Sequence, residues 1–511
     1  MASSYLAPGV YMEEVSSGSR PIEAVGTAVA AFVGFAERGP LHEPVLVTNW
    51  TQFKQNFGDF VEGFYLAHAV YGYFQNGGGT AYVVRVGGES TNGSSNGQVA
   101  LPAAELPAAG PDNKPGLTIS ARSVDTSDLA VEVTPASEEG DDTFKLVVKQ
   151  GGQPIETFDN VTTKRGPNNV ATVVRQQSKL IIVEETKGKS LSVPKTGEVA
   201  LGKPGNEPVK VEANAYVGNS ADRTGFGGLE AIDEVTMLSV PDLMAAYQRG
   251  ALSAEDVKAV QLAMIAHCEL MADRVAILDT PPGLSAQDVK EWRMDVTGYD
   301  SKYAAMYWPW VKVADPVAGK QIFVPPSGHM AGIWARNDST RGVHKAPANE
   351  VVRGAVTLEI NITKGEHDVL NPIAVNCIRS FRGQGIRVWG ARTLSSDPEW
   401  RYLNVRRLFN YVEKSILQGT NWVVFEPNDP KLWDSVKRTA TMFLRRVWRD
   451  GALFGRTPAQ AFFVKCDEEN NPAENRDAGI LTVEIGIAPV KPAEFVVFRI
   501  SQFAEGAGLE E

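Results

Sequence analysis

The 511-residue sequence has few of the residues that build disulfide frameworks or metal centres. It contains three cysteines, Cys268, Cys377 and Cys466, and six histidines. The cysteines are single and widely spaced, which is typical of reduced thiols in a protein made in a cytosol rather than of a secreted disulfide scaffold. No Cys-x-x-Cys, His-x-x-x-His or Glu-x-x-His set has ligand spacing, so the sequence predicts no metal and no other cofactor.

Long apolar runs are also missing. No window approaches the roughly 20 apolar residues that cross a bilayer. The first 15 residues have neither the basic region nor the apolar stretch of a secretion signal. We therefore expect synthesis in the cytoplasm and no direct insertion into a membrane. The formal net charge of −11 disfavours nucleic acid as a general partner.

The charge is distributed unevenly along the chain. Residues 379–456 contain 15 Lys and Arg against 7 Asp and Glu, a regional net charge of +8. Since the whole chain carries −11, the residues outside this region sum to −19. A helix predicted over 430–448 has basic residues on the face opposite to its apolar residues. These basic residues are Lys431, Arg438, Arg445 and Arg449. They predict either a solvated surface helix or a basic strip that docks on an acidic partner, and both interpretations stay open.

Strand and helix patterns alternate over residues 26–88 and 216–390, which predicts a doubly wound α/β core of mainly parallel strands. Ser-x-x-Asp capping signals at Ser253 and Ser285 each open a helix in this core. Residues 303–311 are expected to form a single strand.

Two further domains and two terminal arms complete the predicted organisation. Residues 89–215 are expected to be an inserted, surface-exposed, small antiparallel β domain, entered through a linker over 87–116. Residues 391–488 are expected to be a C-terminal α+β domain. The arms are residues 1–25 and 489–511.

Each arm carries a β-prone segment beside Gly- or Pro-rich sequence, with no hairpin partner nearby. The candidate strand residues are Val10, Tyr11, Met12, Glu13 and Val15 in the N-terminal arm and Phe495, Val496, Val497, Phe498 and Arg499 in the C-terminal arm. Such segments can complete a sheet edge of another subunit by main-chain pairing. The sequence leaves open the alternative that the two arms pair with each other within one chain.

The strongest catalytic candidate is Ser327, which opens a predicted helix and is followed two positions later by His329. With Asp279 at the end of a strand, it suggests a subtilisin-like Asp-His-Ser triad. That triad needs a histidine which takes the serine proton, yet the histidines, at 42, 68, 267, 329, 344 and 367, leave the interval from 279 to 327 empty. A regular helix does not project His329 toward Ser327. We predict no catalytic residue and keep a serine hydrolase, active or degenerate, as an alternative.

Several segments together resemble the contractile tail sheath protein family. They are LAPGVYMEEV at 6–15, PPSGHMAGIWARNDSTRGVHKAPAN at 325–349, GIRVWGART at 385–393, YLNVRR at 402–407 and PAEFVVFRI at 492–500. They cover both ends and the α/β body and leave residues 90–210 outside. The overall sequence pattern resembles the single-chain sheaths of extracellular or phage-tail-like injection systems more than two-component secretion sheaths.

The resemblance implies a structural protein rather than an enzyme. Hexameric rings of this chain would stack as a helix around an inner tube, with baseplate and terminal cap proteins as further partners and terminal strands exchanged between subunits. The core would resemble a subtilisin-like fold without its protease site. Our own hypothesis, from the charge pattern, is that the basic helix faces the tube in the extended state. A metastable extended sheath would contract and drive the tube through a target envelope, as part of an assembled phage tail-like particle. The sequence leaves open whether that particle is released extracellularly or acts inside its producer. A non-contractile, capsid-like shell is the other alternative.

Overall fold

The computed structural model describes residues 21–87, 103–106, 117–121, 129–137, 142–164, 166–178, 180–185, 193–201, 212–316 and 319–499. The chain divides into two compact units. The α/β unit comprises Ala28–Arg336 and Pro347–Arg401. Among the described residues, the C-terminal unit comprises positions 21–27, the short segment Asn337–Ala346 and positions 402–499.

The described residues form twenty strands. They are β1 (Val29–Gly34), β2 (Val45–Val47), β3 (Thr80–Arg85), β4 (Ala103–Leu106), β5 (Leu117–Ala121), β6 (Leu129–Pro135), β7 (Thr143–Gln150), β8 (Gln153–Thr162), β9 (Ile181–Glu185), β10 (Gly197–Ala200), β11 (Met237–Ser239), β12 (Val275–Asp279), β13 (Ala304–Trp308), β14 (Val311–Ala314), β15 (Gln321–Val324), β16 (Ala355–Leu358), β17 (Val375–Phe381), β18 (Gly385–Val388), β19 (Phe462–Lys465) and β20 (Glu484–Ile487).

The same residues form thirteen α-helices. They are α1 (Trp50–Phe57), α2 (Leu66–Gln75), α3 (Val170–Gln177), α4 (Ala213–Val217), α5 (Asp242–Gln248), α6 (Ala254–Met271), α7 (Ala286–Glu291), α8 (Ser327–Arg341), α9 (Lys364–Leu370), α10 (Leu403–Gly419), α11 (Pro430–Arg449), α12 (Pro458–Ala461) and α13 (Ala473–Asp477). Among the described segments, none of the helices is both long enough and apolar enough to cross a bilayer.

The α/β unit is organised around an eight-stranded sheet with the order β18-β17-β13-β12-β11-β1-β3-β2. The six inner strands, from β17 to β3, are parallel, and β18 and β2 pair antiparallel at the two edges. The chain begins near the middle with β1, adds β3 on one side, and later builds β11, β12, β13 and β17 outward on the other. The doubly wound arrangement of mainly parallel strands is therefore confirmed.

The central strands are apolar throughout because helices cover both faces of a parallel sheet. All five residues of β12 and all five of β13 are buried. Both predicted capping signals are present. The side chain of Ser253 accepts from the amide of Asp256, whose carboxylate accepts from the amide of Ser253, and Ser285 and Asp288 do the same at the start of α7. These caps satisfy amides that a helix start would otherwise leave unpaired.

Two local predictions are wrong. The single strand expected over 303–311 is two strands in different sheets, because β13 ends at Trp308 and β14 begins at Val311 in the small sheet β15-β14-β16. Pro309 lies between them and has no amide hydrogen with which to continue the first ladder. The linker expected over 87–116 contains β4, which pairs with β5.

Strands β4 to β10 form two antiparallel sheets, β10-β6-β7-β8 and β4-β5-β9. In β6, Leu129, Val131 and Val133 are buried while the intervening Ala130 and Glu132 are partly exposed. This alternation is the signature of a sheet with one covered face. The buried side chains of the two sheets and of α3 form one hydrophobic cluster, so this part of the chain has a core of its own.

The C-terminal unit contains α10 to α13 and the two-stranded sheet β19-β20. Its core joins Leu408 and Val412 of α10 to Phe443, Leu444 and Val447 of α11. The buried positions of α11 recur at helical spacing and its other face is exposed, as the sequence pattern predicted for residues 430–448.

Helices α2 and α8 of the α/β unit touch through their backbones. A Cβ atom added at Gly332 would overlap the carbonyl oxygen of Tyr73, and one added at Gly328 would overlap the backbone of Ala69. The small residues of the 325–349 segment therefore serve helix packing.

We predict that Gly332→Ala lowers the free energy of unfolding by about 1–3 kcal/mol, because the methyl group must push two packed helices apart. Gly365→Ala in α9 is the matched control: its added Cβ meets no atom within 4 Å, so the helix should gain up to about 1 kcal/mol. Urea unfolding measures both values. Equal shifts for the two variants would contradict the packing role.

Candidate functional site

The first candidate site lies at the carboxyl ends of the parallel strands, where doubly wound sheets bind ligands at the point of chain reversal. Between β1 and β11 this place is filled by the side chain of Asp242, which has no exposed surface. The carboxylate accepts hydrogen bonds from the amides of Phe35 at 2.6 Å, of Leu66 at 3.1 Å and of Tyr65. Burial raises the pKa of Asp242 to about 6, while these amides act to lower it. The chain's own carboxylate occupies the crevice.

The same edge of the sheet brings Asp279 and Ser327 together. The Ser327 hydroxyl donates to Oδ2 of Asp279 at 2.5 Å and the Ser327 amide donates to Oδ1 at 2.9 Å. The hydroxyl of Ser239 lies 2.9 Å from that of Ser327. Ser327 is fully buried and Asp279 is 4% exposed. Burial raises the pKa of Asp279 to about 7, and the two bonds from Ser327 act in the opposite direction.

His329 does not complete a triad with these residues. Its ring packs on Gly72, where an added Cβ would lie 2.6 Å from the ring carbon Cε1. Burial lowers the pKa of His329 to about 4, and the hydrogen bonds of Ser327 go to Asp279 and Ser239. Because solvent does not reach Ser327 and its hydroxyl bonds to a buried acid, this serine is suited to fixing the start of α8 rather than to acting as a nucleophile. In the described parts of the chain no cluster of three potential metal ligands occurs.

The second candidate site is the exposed face of α11. Lys431, Arg438, Arg445 and Arg449 are all exposed there, as predicted, and Lys437 and Arg446 at its margins are exposed as well. Lys437 and Arg446 were missed at the level of the sequence because only the residues directly opposite the apolar face of the helix were selected. Within the residues that the structure describes, none of these six side chains forms an ion pair with another part of the chain. The six exposed cations are called the basic strip below.

Part of the regional positive charge is internal and does not reach this surface. Arg392, Arg406 and Arg407 are 7%, 1% and 4% exposed. Arg407 holds Asp338 through two bonds of 2.6 and 2.9 Å, and Arg406 bonds within α10 at 2.6 Å to Asn410. The regional charge of +8 therefore overstates the charge available to a partner, which is concentrated in the basic strip.

The C-terminal arm is exposed and forms no strand within the described residues. Phe495, Val496, Val497 and Phe498 are 73%, 68%, 77% and 84% exposed, and Arg499 is exposed beside them. Apolar side chains of this size are rarely left in water in a run unless something covers them. The N-terminal candidates, Val10, Tyr11, Met12, Glu13 and Val15, lie outside the described residues.

The sheet β19-β20 belongs to the same unit and has two outer edges. In the described chain each of its strands pairs only with the other. Phe463 of β19 is 57% exposed. A two-stranded sheet is marginal by itself, and unpaired edges accept further strands.

An exposed apolar arm, an open sheet and a basic strip whose cations form no ion pair in the described chain are, together on one unit, typical of a subunit that assembles with others. Residues 229–394 match the model of the phage tail sheath protein central domain, and residues 395–503 match that of the phage tail sheath C-terminal domain. The two matches adjoin and together span more than half of the chain. The chain belongs to the phage tail sheath protein family.

Individual relatives agree with this assignment. The tail sheath protein of Burkholderia phage BcepMu is 26% identical over 521 residues, covering 98% of this chain and 97% of that protein. The tail sheath protein of Vibrio phage KVP40 is 24% identical over 250 residues, and the match spans 46% of this chain and 36% of that protein. The contracted sheath complex of PVC, an extracellular contractile injection system, has the same fold, with a TM-score of 0.59, 23% identity and 99% of each chain covered.

We predict that Asp279→Asn removes a measurable part of the pH dependence of stability. Because the folded pKa of Asp279 is raised to about 7, its contribution is greatest below about pH 4 and is lost as the pH rises through 7. The variant should therefore gain about 2 kcal/mol relative to the parent between pH 5 and pH 8, at about 1.4 kcal/mol per pH unit. Urea unfolding across this range measures the gain.

The exposed Asp295 supplies the control, Asp295→Asn, which should follow the parent curve. Parallel curves for the parent and Asp279→Asn would show that the buried carboxyl does not titrate in this window.

Proposed function

We propose that this chain is the sheath subunit of a contractile, tail-like particle. Copies of it stack as hexameric rings in a helix around an inner tube, between a baseplate and a terminal cap. On triggering, the sheath contracts from a metastable extended state and drives the tube through a target envelope. The observation that carries the proposal is the C-terminal unit, which presents an exposed arm, an open sheet and a basic strip in a chain of the tail sheath family.

Strand exchange through the arms links the subunits. Residues 495–499 of one subunit, and the β-prone part of its N-terminal arm, pair with the outer edges of β19 and β20 in neighbouring subunits. A strand of about six residues adds several backbone hydrogen bonds at about 1 kcal/mol net each. Phe495, Val497 and Phe498 would bury apolar surface in addition, which would offset the cost of ordering the arm.

The basic strip on α11 holds the tube in the extended state. Six exposed cations without ion pairs favour an acidic partner surface, and such contacts weaken as salt screens them. Contraction then breaks this contact while the strand links persist. New contacts between subunits supply the free energy, since the sequence has no phosphate-binding loop and Asp242 fills the usual ligand crevice.

The α/β unit is a subtilisin-like core without an active site in this proposal. The buried pairing of Asp279 with Ser327 supports that view, because the carboxylate bonds directly to the serine with no histidine between them. The inserted residues 89–215 face the outside of the sheath. Their separate core keeps their packing independent of the contacts between subunits that change on contraction. The particle assembles in the cytoplasm of its producer before its release.

We predict that deleting residues 1–20 gives a folded subunit that does not polymerise. The root of the arm, residues 21–27, stays in place, so the far-ultraviolet circular dichroism and the unfolding midpoint should match those of the full chain. Negative-stain electron microscopy should show striated tubes for the full chain and none for the deletion. Normal tubes from the deletion would rule out the N-terminal arm as a link, and closed shells from the full chain would favour the capsid-like alternative.

We predict that Arg438→Glu combined with Arg445→Glu abolishes extended sheaths on the tube, because it reverses the centre of the basic strip. Sheaths formed without a tube should persist, since the arms are untouched. The matched control reverses the exposed Lys364 and Arg382 of the α/β unit to Glu, an equal change of charge. Cosedimentation with tubes at low and high salt measures binding, and unchanged binding by the strip variant would exclude this face.

A further inference from the structure

Residues 22–27, the root of the N-terminal arm, run along α10 in the opposite direction. Ile22 packs at Gly419, where an added Cβ would lie 2.6 Å from its Cγ1. The amide of Val25 donates to the Ser415 hydroxyl at 3.3 Å. Arg407 then donates to the carbonyl of Thr27 at 3.0 Å.

The order of these contacts lays the root along the helix. From position 419 to position 407 a helix rises about 18 Å, and the chain from 22 to 27 covers that distance together with the long side chain of Arg407. The root therefore runs beside the helix over most of its length.

A buried ion pair fixes the inner end of the root. The Thr27 hydroxyl donates to Oδ2 of Asp338 at 2.7 Å, and Arg407 donates to both carboxylate oxygens of Asp338. The side chains of Arg407 and Asp338 are 3% and 4% exposed. Moving Thr27 would disturb these buried charges, so the end of the root is held firmly.

The root of the C-terminal arm is held at the other end of α10. Asn404, which is 1% exposed, donates from Nδ2 to the carbonyl of Val490 at 3.0 Å and to that of His344 at 2.7 Å. The Tyr402 hydroxyl donates to Glu494 at 3.1 Å. Glu494 is the last residue before the exposed apolar arm.

We infer that α10 is the spacer that carries tension between the two arms of a subunit. The N-terminal arm leaves at Gly419 and the C-terminal arm leaves at Tyr402, so the arms emerge from opposite ends of a helix about 25 Å long. A pull from neighbours on both arms is shared between the contacts at Ser415 and Gly419, which load this helix along its axis, and the buried pair at Arg407, which does not. The inference rests on the proposed exchange of arms between subunits, and it assigns positioning roles to Tyr402, Asn404, Ser415 and Gly419.

Gly419→Ala tests the N-terminal end. The atoms near its added Cβ belong to Ile22, while alanine favours the helix itself. Amide exchange at Val25 in the unassembled subunit should therefore become about fivefold faster, the effect of losing roughly one net hydrogen bond. Amides within α10 should exchange at the parental rate or more slowly. Gln418→Ala, at an exposed neighbouring position, is the matched control and should leave Val25 unchanged.

Tyr402→Phe tests the C-terminal end by removing one hydroxyl. The amide of Val490, which donates to the carbonyl of Ala452 at 3.2 Å, is the reporter, and its exchange should also become about fivefold faster. Tyr411→Phe removes the same atom from within α10 and should not change this rate, because the described structure has no hydrogen bond from Tyr411 to residues 490–494.

Sedimentation of assembled sheaths through a guanidinium series then tests the tension. Sheaths of Gly419→Ala and Tyr402→Phe should dissociate at lower denaturant than those of the parent and of both controls. If the amides of Val25 and Val490 exchange in the variants at the same rate as in the parent, the proposed contacts of the roots with α10 are wrong. If they exchange faster but the sheaths dissociate at the same denaturant concentration as those of the parent, the spacer role is wrong. If the parent forms no sheath, the proposed function fails, and with it the spacer, while the exchange rates still decide whether α10 seats the roots.

Discussion

The interaction on which the C-terminal unit depends is the buried pair of Arg407 and Asp338. It joins segments far apart in the chain, since Thr27, Asp338 and Arg407 meet in one cluster. A buried ion pair adds little stability over an apolar pair of the same size, but it penalises every arrangement that separates its charges. The pair thus selects one placement of the arm root against α10, and the linkage through the arms that we propose would need that placement to be the same in every copy.

The α/β unit uses buried charge differently. Asp242 and Asp279 form no ion pair within the described residues and are held by amide and hydroxyl donors at the carboxyl edge of the sheet, although the charge of Arg249 acts on Asp242. Burial raises the pKa of both carboxyls, and the donors offset part of the cost. The crevice that other doubly wound proteins leave open for a ligand is here filled from within. In place of a ligand, buried hydrogen bonds from these two carboxylates connect the strands to the helices, as suits a protein that transmits force.

Periodic features of single helices and strands could be predicted from the sequence, whereas contacts between residues far apart in the chain could not. The apolar runs of β12 and β13, the caps at Ser253 and Ser285 and the two faces of α11 are local patterns, and the structure has them. The burial of Arg407 was not predictable, because its partner lies 69 positions away. For the same reason the regional charge overstated the basic surface. Residues 495–498 are exposed in the described chain, and the partner of such a segment, within the chain or on another subunit, is not part of any local sequence pattern.

The separate core of strands β4 to β10 has a consequence for how this chain can change. The chain leaves the main sheet after β3 and returns to it at β11, and the buried residues of the inserted sheets share none of the hydrophobic cluster that packs the main one. The family matches likewise begin only at residue 229. Because the two clusters are separate, substitutions that repack the described inserted sheets leave the core of the main sheet unchanged.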